Sequence, residues 1–469
     1  MQILKFIFIM LEVLVLFNII IFVHELGHFL AARWRGLKIQ RFAIWFGKPI
    51  WKKKIGDVEY ALGSIPAGGY VMLPQMAPME ALEGKVENKE TLPPVSALDK
   101  IIVAFAGPLF SFMLALLFAV VVWIAGKPVS EAEATTVIGY VEKGGPADVA
   151  GLRPGDHVLE VDGNPVTRFL GIGNTIMWHT VRSEGETIPI KVDRNGEILT
   201  FHPKAQRDKT GTFERKSLRQ VKIGPAQSAV VDEVMENSPA AIAGIKTGDV
   251  LLEVDGSKIL SPGALTQHIK ENGDKTLMLM VRRGNEVLTF PVKPRSPDTQ
   301  VDGKPLPPMV GISYDRAKIE IIHPSPMTQV MESIDAMVST IGALFSPKSD
   351  ISPQHLSGPV KILNIYYLLF NSDDGWRLVF WFTVLLNVNL ALLNLLPLPV
   401  LDGGHITLAI MEAIRRRPVS IRVLNVVQTA CAILVIGFMV YIAFFDVQEL
   451  PWKREKQTEI KFSPPPQEP

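Results

Sequence analysis

Two histidines and a glutamate stand together near the start of the chain, as His24-Glu25-Leu26-Gly27-His28. On a helix, positions i and i+4 share a face, so His24 and His28 can present ring nitrogens to one cation. Glu25 projects from the neighbouring position toward the same space. This spacing suits two zinc ligands and a carboxylate general base for the water that attacks a peptide carbonyl. The same residues would also suit a helix end that has emerged into water. A Glu flanked by two His after some twenty apolar residues weighs against that, because such groups are costly at membrane depth unless a metal or a wet cavity solvates them.

Two histidines leave zinc short of protein ligands, since catalytic sites usually have three plus water. Glu59 lies in a segment that reads as a strand, and Glu80, Glu83 and Glu87 lie in a polar linker. The better candidate is far along the chain, in Asn394-Leu-Leu-Pro-Leu-Pro-Val-Leu-Asp402-Gly-Gly-His405. Pro397 and Pro399 break a helix there, and Gly403-Gly404 lets the backbone bend sharply. Taken alone, Asp402 could equally cap a helix that begins at Gly403. Beside the histidine motif, metal ligation is the stronger expectation.

These groups must be positioned by apolar elements. Four runs are long enough to cross a bilayer, which takes roughly 20 residues as helix: Ile3 to Val23 continuing to Trp34, Ile101 to Ala125 with an interruption at Gly107-Pro108, Trp376 to Leu396, and Val423 to Phe445. The first lacks the basic start and small-residue cleavage site of a secretory signal, so a retained span is expected. Lys and Arg crowd between the first two runs (Arg33, Arg35, Lys38, Arg41, Lys48, Lys52 to Lys54) and between the last two (Arg415 to Arg417, Arg422). By the positive-inside rule both loops are cytoplasmic, and residues 126 to about 325 lie outside with both termini. The tail cations Lys453, Arg454 and Lys456 pull more weakly the other way. A net charge of +1 over 469 residues gives no basic surplus for nucleic acid. Cys431 is the single cysteine, so neither an internal disulfide nor a thiolate zinc site is available.

The central region contains a repeat. Gly145-Pro146-Ala147, Gly151-Leu152, Gly155-Asp156 and Glu160-Val161-Asp162-Gly163 recur, at one constant offset, as Ser238-Pro239-Ala240, Gly244-Ile245, Gly248-Asp249 and Glu253-Val254-Asp255-Gly256. Two copies make a tandem of small domains rather than a solenoid. Each resembles a PDZ domain of the bacterial, circularly permuted kind. That resemblance implies a groove in which an extended peptide adds as a strand, with Ile138 to Val141 and Val230-Val231 as the ligand edges. A spacer that only blocks access to the membrane site is an equal alternative.

The histidine motif in the first span, the PDZ-like tandem and the Asn394-to-Gly404 motif together resemble the site-2 protease family, of the regulator of sigma-E protease type, over nearly the whole chain. The resemblance implies one Zn2+ held by His24, His28 and Asp402, with Glu25 as base. It implies that Asn389 and Asn394 line the substrate cleft, although an interhelical role is a rival. It implies that a loop from Ile65 through Gly68 and Gly69 to Tyr70, within a hairpin that dips back to the membrane (Asp57 to Leu73), holds the substrate as an added strand. In Ala106 to Phe112, Ser111 stands where that family often carries Asn. Expected substrates are single-pass membrane proteins, among them a pre-cleaved anti-sigma factor in envelope stress and remnant signal peptides, at a bacterial inner membrane with the zinc toward the cytoplasm and the PDZ pair periplasmic. The PDZ pair would filter substrates by ectodomain size or bind peptides.

The expected fold is therefore a multi-domain membrane protein: an α-helical core of four spans with a membrane-associated β-hairpin, plus two tandem permuted PDZ domains. The boundaries read as 1–126 (first two spans and hairpin), 127–220 and 221–310 (PDZ domains), 311–370 (a linker with an amphipathic helix), 371–447 (last two spans) and 448–469 (a disordered tail). The amphipathic helix, Met327 to Phe345, is expected at the outer interface or packed on the second PDZ domain. A membrane-anchored PDZ scaffold without activity is the main functional rival. A transporter would spread polar residues through several spans, which this sequence does not.

Overall fold

The computed structural model describes residues 2–76, 95–171, 173–211, 213–301, 304–314, 319–417, 419–450 and 460–464. Glu80, Glu83 and Glu87, and the tail cations Lys453, Arg454 and Lys456, lie outside them. The chain forms two compact units, one of residues 1–127, 323–338 and 356–447, the other of residues 128–322, 339–355 and 448–469.

Among the described residues, four helices are long and apolar enough to cross a membrane: Leu4–Trp34, Ala97–Ala125, Gly375–Asn394 and Arg422–Gln448. They are called the first to fourth spans below. Ser96 caps the second span by accepting the Asp99 N–H at 3.1 Å. The helix then runs through Gly107-Pro108 without the expected interruption. The first two spans touch closely at Gly27, where a Cβ would lie 2.4 Å from the Ala106 carbonyl oxygen.

The stretch 311–370 is not simply a linker. The helix Pro359–Asn371 buries Tyr366 completely, edge-on to Phe17 of the first span and Phe382 of the third, with its hydroxyl 3.0 Å from Thr383 Oγ1. The first half of the helix Pro326–Phe345 packs on the second and third spans. Val330 joins Ala115, Ala119, Val384 and Val388 in one cluster, and Gln329 donates to the Ala119 carbonyl at 2.9 Å.

The membrane hairpin is larger than expected. Four strands, β1 (Arg41–Phe46), β2 (Trp51–Ile55), β3 (Val58–Leu62) and β4 (Ile65–Met72), form a sheet in the order β2-β3-β1-β4. β2 and β3 form a hairpin, whereas β3 and β4, the two arms of the hairpin expected over Asp57 to Leu73, are not paired with each other. β1 lies between β3 and β4, parallel to the one and antiparallel to the other, and its Phe42 and Ala43, on opposite faces, are both buried. Phe42 meets Phe22 and Phe29 of the first span edge-on, and Trp45 Nε1 donates to Asn18 Oδ1 at 2.7 Å. The sheet is thus tied along the first span toward the histidine motif.

The second unit holds the repeat. Pro146–Ala150 and Pro239–Ala243 are short helices started by proline and ended by Gly151 and Gly244 in the left-handed region. Asp156 and Asp249 are buried, and each takes a forked guanidinium, from Arg194 and Arg283 respectively. Each arginine also donates to the carbonyl of the helix-ending glycine at 2.8 Å and lies over an aromatic ring, Phe201 or Phe290. Burial pushes the Asp249 carboxyl up, but Arg283 and the Lys246 N–H more than offset this and hold it below the usual range.

Each repeat is closed by a strand from beyond the expected boundaries at 220 and 310. Val221 and Ile223 belong to the first core, and Ile223–Pro225 pairs with Ile138–Val141. Val310, Ile312 and Tyr314 belong to the second, and Ile312–Ser313 pairs with Glu233–Val234. The expected ligand edges are therefore engaged. Ser261 donates to the Gly139 carbonyl at 3.2 Å, Val230 pairs with Val250, and Val231 is wholly buried. Among the described residues of the expected tail, Phe462 is only 5% exposed.

Candidate metal centre and active site

His24 and His28 sit one turn apart near the end of the first span, and their Nε2 atoms lie 3.3 Å from each other. Asp402 opens the helix Asp402–Arg415. Its Oδ2 lies 3.3 Å from His24 Nε2 and its Oδ1 3.3 Å from His28 Nε2. One ligand atom from each residue lies within 4.8 Å of the others, a grouping able to hold a metal ion.

The second span fixes both rings from behind. His28 Nδ1 is 2.8 Å from the Val103 carbonyl, which can only accept, so Nδ1 carries the proton and Nε2 presents a lone pair. His24 Nδ1 is 2.9 Å from the hydroxyl of Ser111, a fully buried residue. Lone pairs from imidazole and carboxylate thus converge on one point, which calls for a cation between them. Nitrogen and oxygen donors with outer hydrogen bonds of this kind suit zinc.

Room for the ion comes from Gly107. A Cβ there would stand 2.2 Å from His28 Nε2 and 2.9 Å from His24 Nε2. The Asp402 corner is close-packed rather than sharply bent. Neither Gly403 nor Gly404 has positive φ. A Cβ on Gly403 would come within 2.3 Å of the Leu395 and Leu396 carbonyl oxygens, and one on Gly404 within 2.1 Å of that of Leu398. Asp402 therefore reaches the histidines because the proline-broken segment folds tightly over its own glycines. Gln428 of the fourth span donates to the Pro399 carbonyl at 3.4 Å, and Lys100 pairs with Glu412 at 2.7 Å, tying the Asp402 helix to the base of the second span.

Glu25 faces β4. A Cβ on Gly69 would lie 2.9 Å from Glu25 Cγ and 3.0 Å from Ile21 Cγ2, so glycine allows the strand to pass against the first span. Gly68 has φ +69°, and its neighbour is the ring of Phe46. Tyr70 stacks on that ring, and its hydroxyl accepts from Arg41 at 3.3 Å. Ile65 begins β4, exposed, opposite Phe46. β4 is an edge strand, hydrogen-bonded on one side to β1 among the described strands.

The asparagines divide. Asn389 Oδ1 is buried without a partner among the described residues, and Asn394 is the last residue of the third span. Asn387 is completely buried, with its amide donating to the Thr383 carbonyl at 2.9 Å and Oδ1 unpartnered. Sequence reasoning passed over Asn387, Gly107, Val103 and Gln428. For Asn387 and Gln428 the available signal was a polar side chain inside an apolar span; Gly107 and the Val103 carbonyl offered none.

A family model, Peptidase family M50, matches residues 12–438. Among curated proteins, the regulator of sigma-E protease of Escherichia coli K12 is 29% identical over 95% of this chain and 100% of its own length. The regulator of sigma E protease of Salmonella typhimurium LT2 is 29% identical over 92% and 97%. A putative zinc metalloprotease of Xylella fastidiosa 9a5c is 27% identical over 92% and 97%. Among solved structures, the HtrA3 PDZ domain bound to a phage-derived ligand matches 14% of this chain and 62% of that one at 35% identity, with a TM-score of 0.14. With its four apolar helices, its His-His-Asp cluster and a family match spanning nearly its whole length, this chain belongs to peptidase family M50, the site-2 proteases, and is a membrane zinc metalloprotease.

Proposed function

We propose that the chain is an endopeptidase for membrane-spanning segments, with zinc held by His24, His28 and Asp402 and with Glu25 as its general base. The observation that carries this is the convergence of three ligand atoms beside Gly107, with Glu25 between them and the edge strand β4. When bound, zinc supplies Lewis acidity that polarises a peptide carbonyl and makes water easier to deprotonate. Glu25 takes the proton from the attacking water and returns it to the leaving amine. Val103 and Ser111 keep the imidazoles turned toward the ligand point while this happens.

A helical span cannot be cut as it stands, because its carbonyls are hydrogen-bonded within the helix. The open side of β4, from Ile65 through Gly68 and Gly69 to Tyr70, offers strand pairing to an unwound segment next to Glu25. The unpartnered Asn389 carbonyl and the amide of Asn394 can satisfy backbone groups freed by unwinding. Spans with helix-weakening residues are therefore the favoured substrates.

The repeated Pro-helix, Gly end and Arg–Asp turn support two PDZ domains of permuted order, acting outside the membrane as a size filter or as peptide binders. The Lys and Arg distribution supports an inner-membrane protein with the zinc toward the cytoplasm. The names of the sigma-E relatives make a pre-cleaved regulator of a sigma factor the first substrate to try.

The test uses protein purified in detergent and a model transmembrane substrate. Wild type should contain one zinc and cleave. Glu25→Gln should keep the zinc and lose cleavage, and the His24→Ala, Asp402→Ala pair should lose both. Equal cleavage by Glu25→Gln, or zinc retained by the double variant, would reject the assignment.

A further inference from the structure

The segment after the fourth span contacts the second repeat through Lys461, Phe462 and Ser463. Within Ile460–Pro464 a single aromatic residue, Phe462, sits between Lys461 and Ser463, in a segment too short to fold by itself. Yet Phe462 is 5% exposed, with the Arg295 guanidinium over its ring at 5.5 Å. Gly311, whose φ of +77° and 2.2 Å approach to Ser238 Cβ already call for glycine, also borders the ring, with its Cβ position 3.0 Å from Phe462 Cε2.

The polar contacts read the backbone around that anchor. The Asp298 N–H donates to the Lys461 carbonyl at 2.9 Å, and the Lys461 N–H donates to Thr299 Oγ1 at 2.8 Å. Arg295 donates to the Ser463 carbonyl at 2.8 Å, and Ser463 Oγ donates to Asp298 Oδ2 at 2.6 Å. Arg295 also donates to the Asn237 carbonyl at 2.8 Å, so the second repeat itself helps to aim the guanidinium. The segment is thus held through backbone groups and side chains of Lys461, Phe462 and Ser463.

We propose that Arg295, Asp298, Thr299 and Gly311 form a peptide-binding site on the second repeat, specific for an extended segment with an aromatic residue followed by serine, and that Lys461–Ser463 is its tethered occupant. Tethering gives the occupant an effective concentration on the order of millimolar, so a site of modest intrinsic affinity stays filled in cis. The site straps the chain beyond the fourth span onto the second repeat. It does not depend on the protease assignment, and binding is read separately from cleavage.

The experiment uses the intact chain, a Phe462→Ala variant and a variant lacking residues 460–469, all in detergent. Hydrogen exchange should protect the Asp298 and Lys461 amides in the intact chain. Phe462→Ala should lose that protection while core amides at Leu279 and Val281 stay slow. A labelled peptide, Glu-Ile-Lys-Phe-Ser-Pro, should bind the shortened variant but not the intact chain. Replacing its Phe by Ala, or Arg295 by Ala in the protein, should weaken binding about tenfold or more. Fast exchange at Lys461 in the intact chain, or equal binding of the Phe and Ala peptides, would overturn the proposal.

Discussion

Ser111 Oγ lies 2.9 Å from His24 Nδ1, and the serine is wholly buried in the second span. An Nδ1–H donated to that hydroxyl leaves Nε2 free to face Asp402. Ser111→Ala removes the acceptor and leaves a buried ring N–H unpaired. The expected result is a loss of zinc affinity or activity of about 10- to 100-fold. Zinc retention during chelator titration of the purified protein measures it, and unchanged retention would show the contact to be incidental.

Gly107 offers a sharper test, because its effect is steric. A methyl at this position would occupy the point on which both Nε2 atoms converge. Gly107→Ala should give a protein that inserts and folds, since alanine suits a helix better than glycine, but that binds no zinc. Far-UV circular dichroism and metal analysis on one preparation separate these outcomes.

The metal site was legible in sequence because its chemistry needs charged groups where apolar ones belong. His24, Glu25, His28 and Asp402 each interrupt or end an apolar run, and such interruptions are expensive. Gly107 and Val103 were not legible for the opposite reason. A glycine or a backbone carbonyl in a span is ordinary in sequence, and it acquires a role only when another helix is packed on it. The sheet was half legible. Asp57 to Leu73, read as one hairpin, does hold two strands, but nothing local announces that β1, whose Phe42 packs on Phe22 and Phe29, lies between them and pairs in parallel with β3. Each repeat was legible through its turns, whereas its closing strand at Ile223 or Ile312 lies beyond the repeated motif and is specified only by the core it completes.

The first repeat should be acid-sensitive. His179, in the helix Ile176–Arg182, is 4% exposed, and neither ring nitrogen has a partner among the described residues. Burial pushes its pKa below the ordinary value, Arg182 pushes the same way, and Asp162 opposes them. The unfolded chain therefore binds this proton more readily than the folded one. The histidine's contribution is intact above its ordinary value of about 6.5 and is lost as pH falls through that value toward the lower folded one. Proteolytic susceptibility between Thr175 and Glu186, followed on heating at about pH 7.5 and about pH 5.5, should rise with acid in wild type and much less in His179→Gln. Equal acid sensitivity in the two proteins would remove His179 as the cause.

Gly69 separates substrate positioning from metal chemistry. Its missing side chain lets β4 run against the first span, with Glu25 Cγ and Ile21 Cγ2 about as near as a Cβ would tolerate. Gly69→Val must push the strand outward, because the nearest atoms include the Ala43 carbonyl of the paired strand, 3.1 Å from such a Cβ and unable to turn aside. The outer edge of β4 then stands off from Glu25, and an extended segment added to it presents its carbonyl out of reach. His24, His28 and Asp402 are held by the second span and the Asp402 helix, so zinc content should be unchanged. Cleavage should fall by about 100-fold, as expected when reacting groups are misplaced by about an ångström. Measuring zinc and cleavage on the same sample decides the point. If activity survives, β4 does not hold the substrate, and if zinc is lost, the strand supports the metal site rather than the peptide.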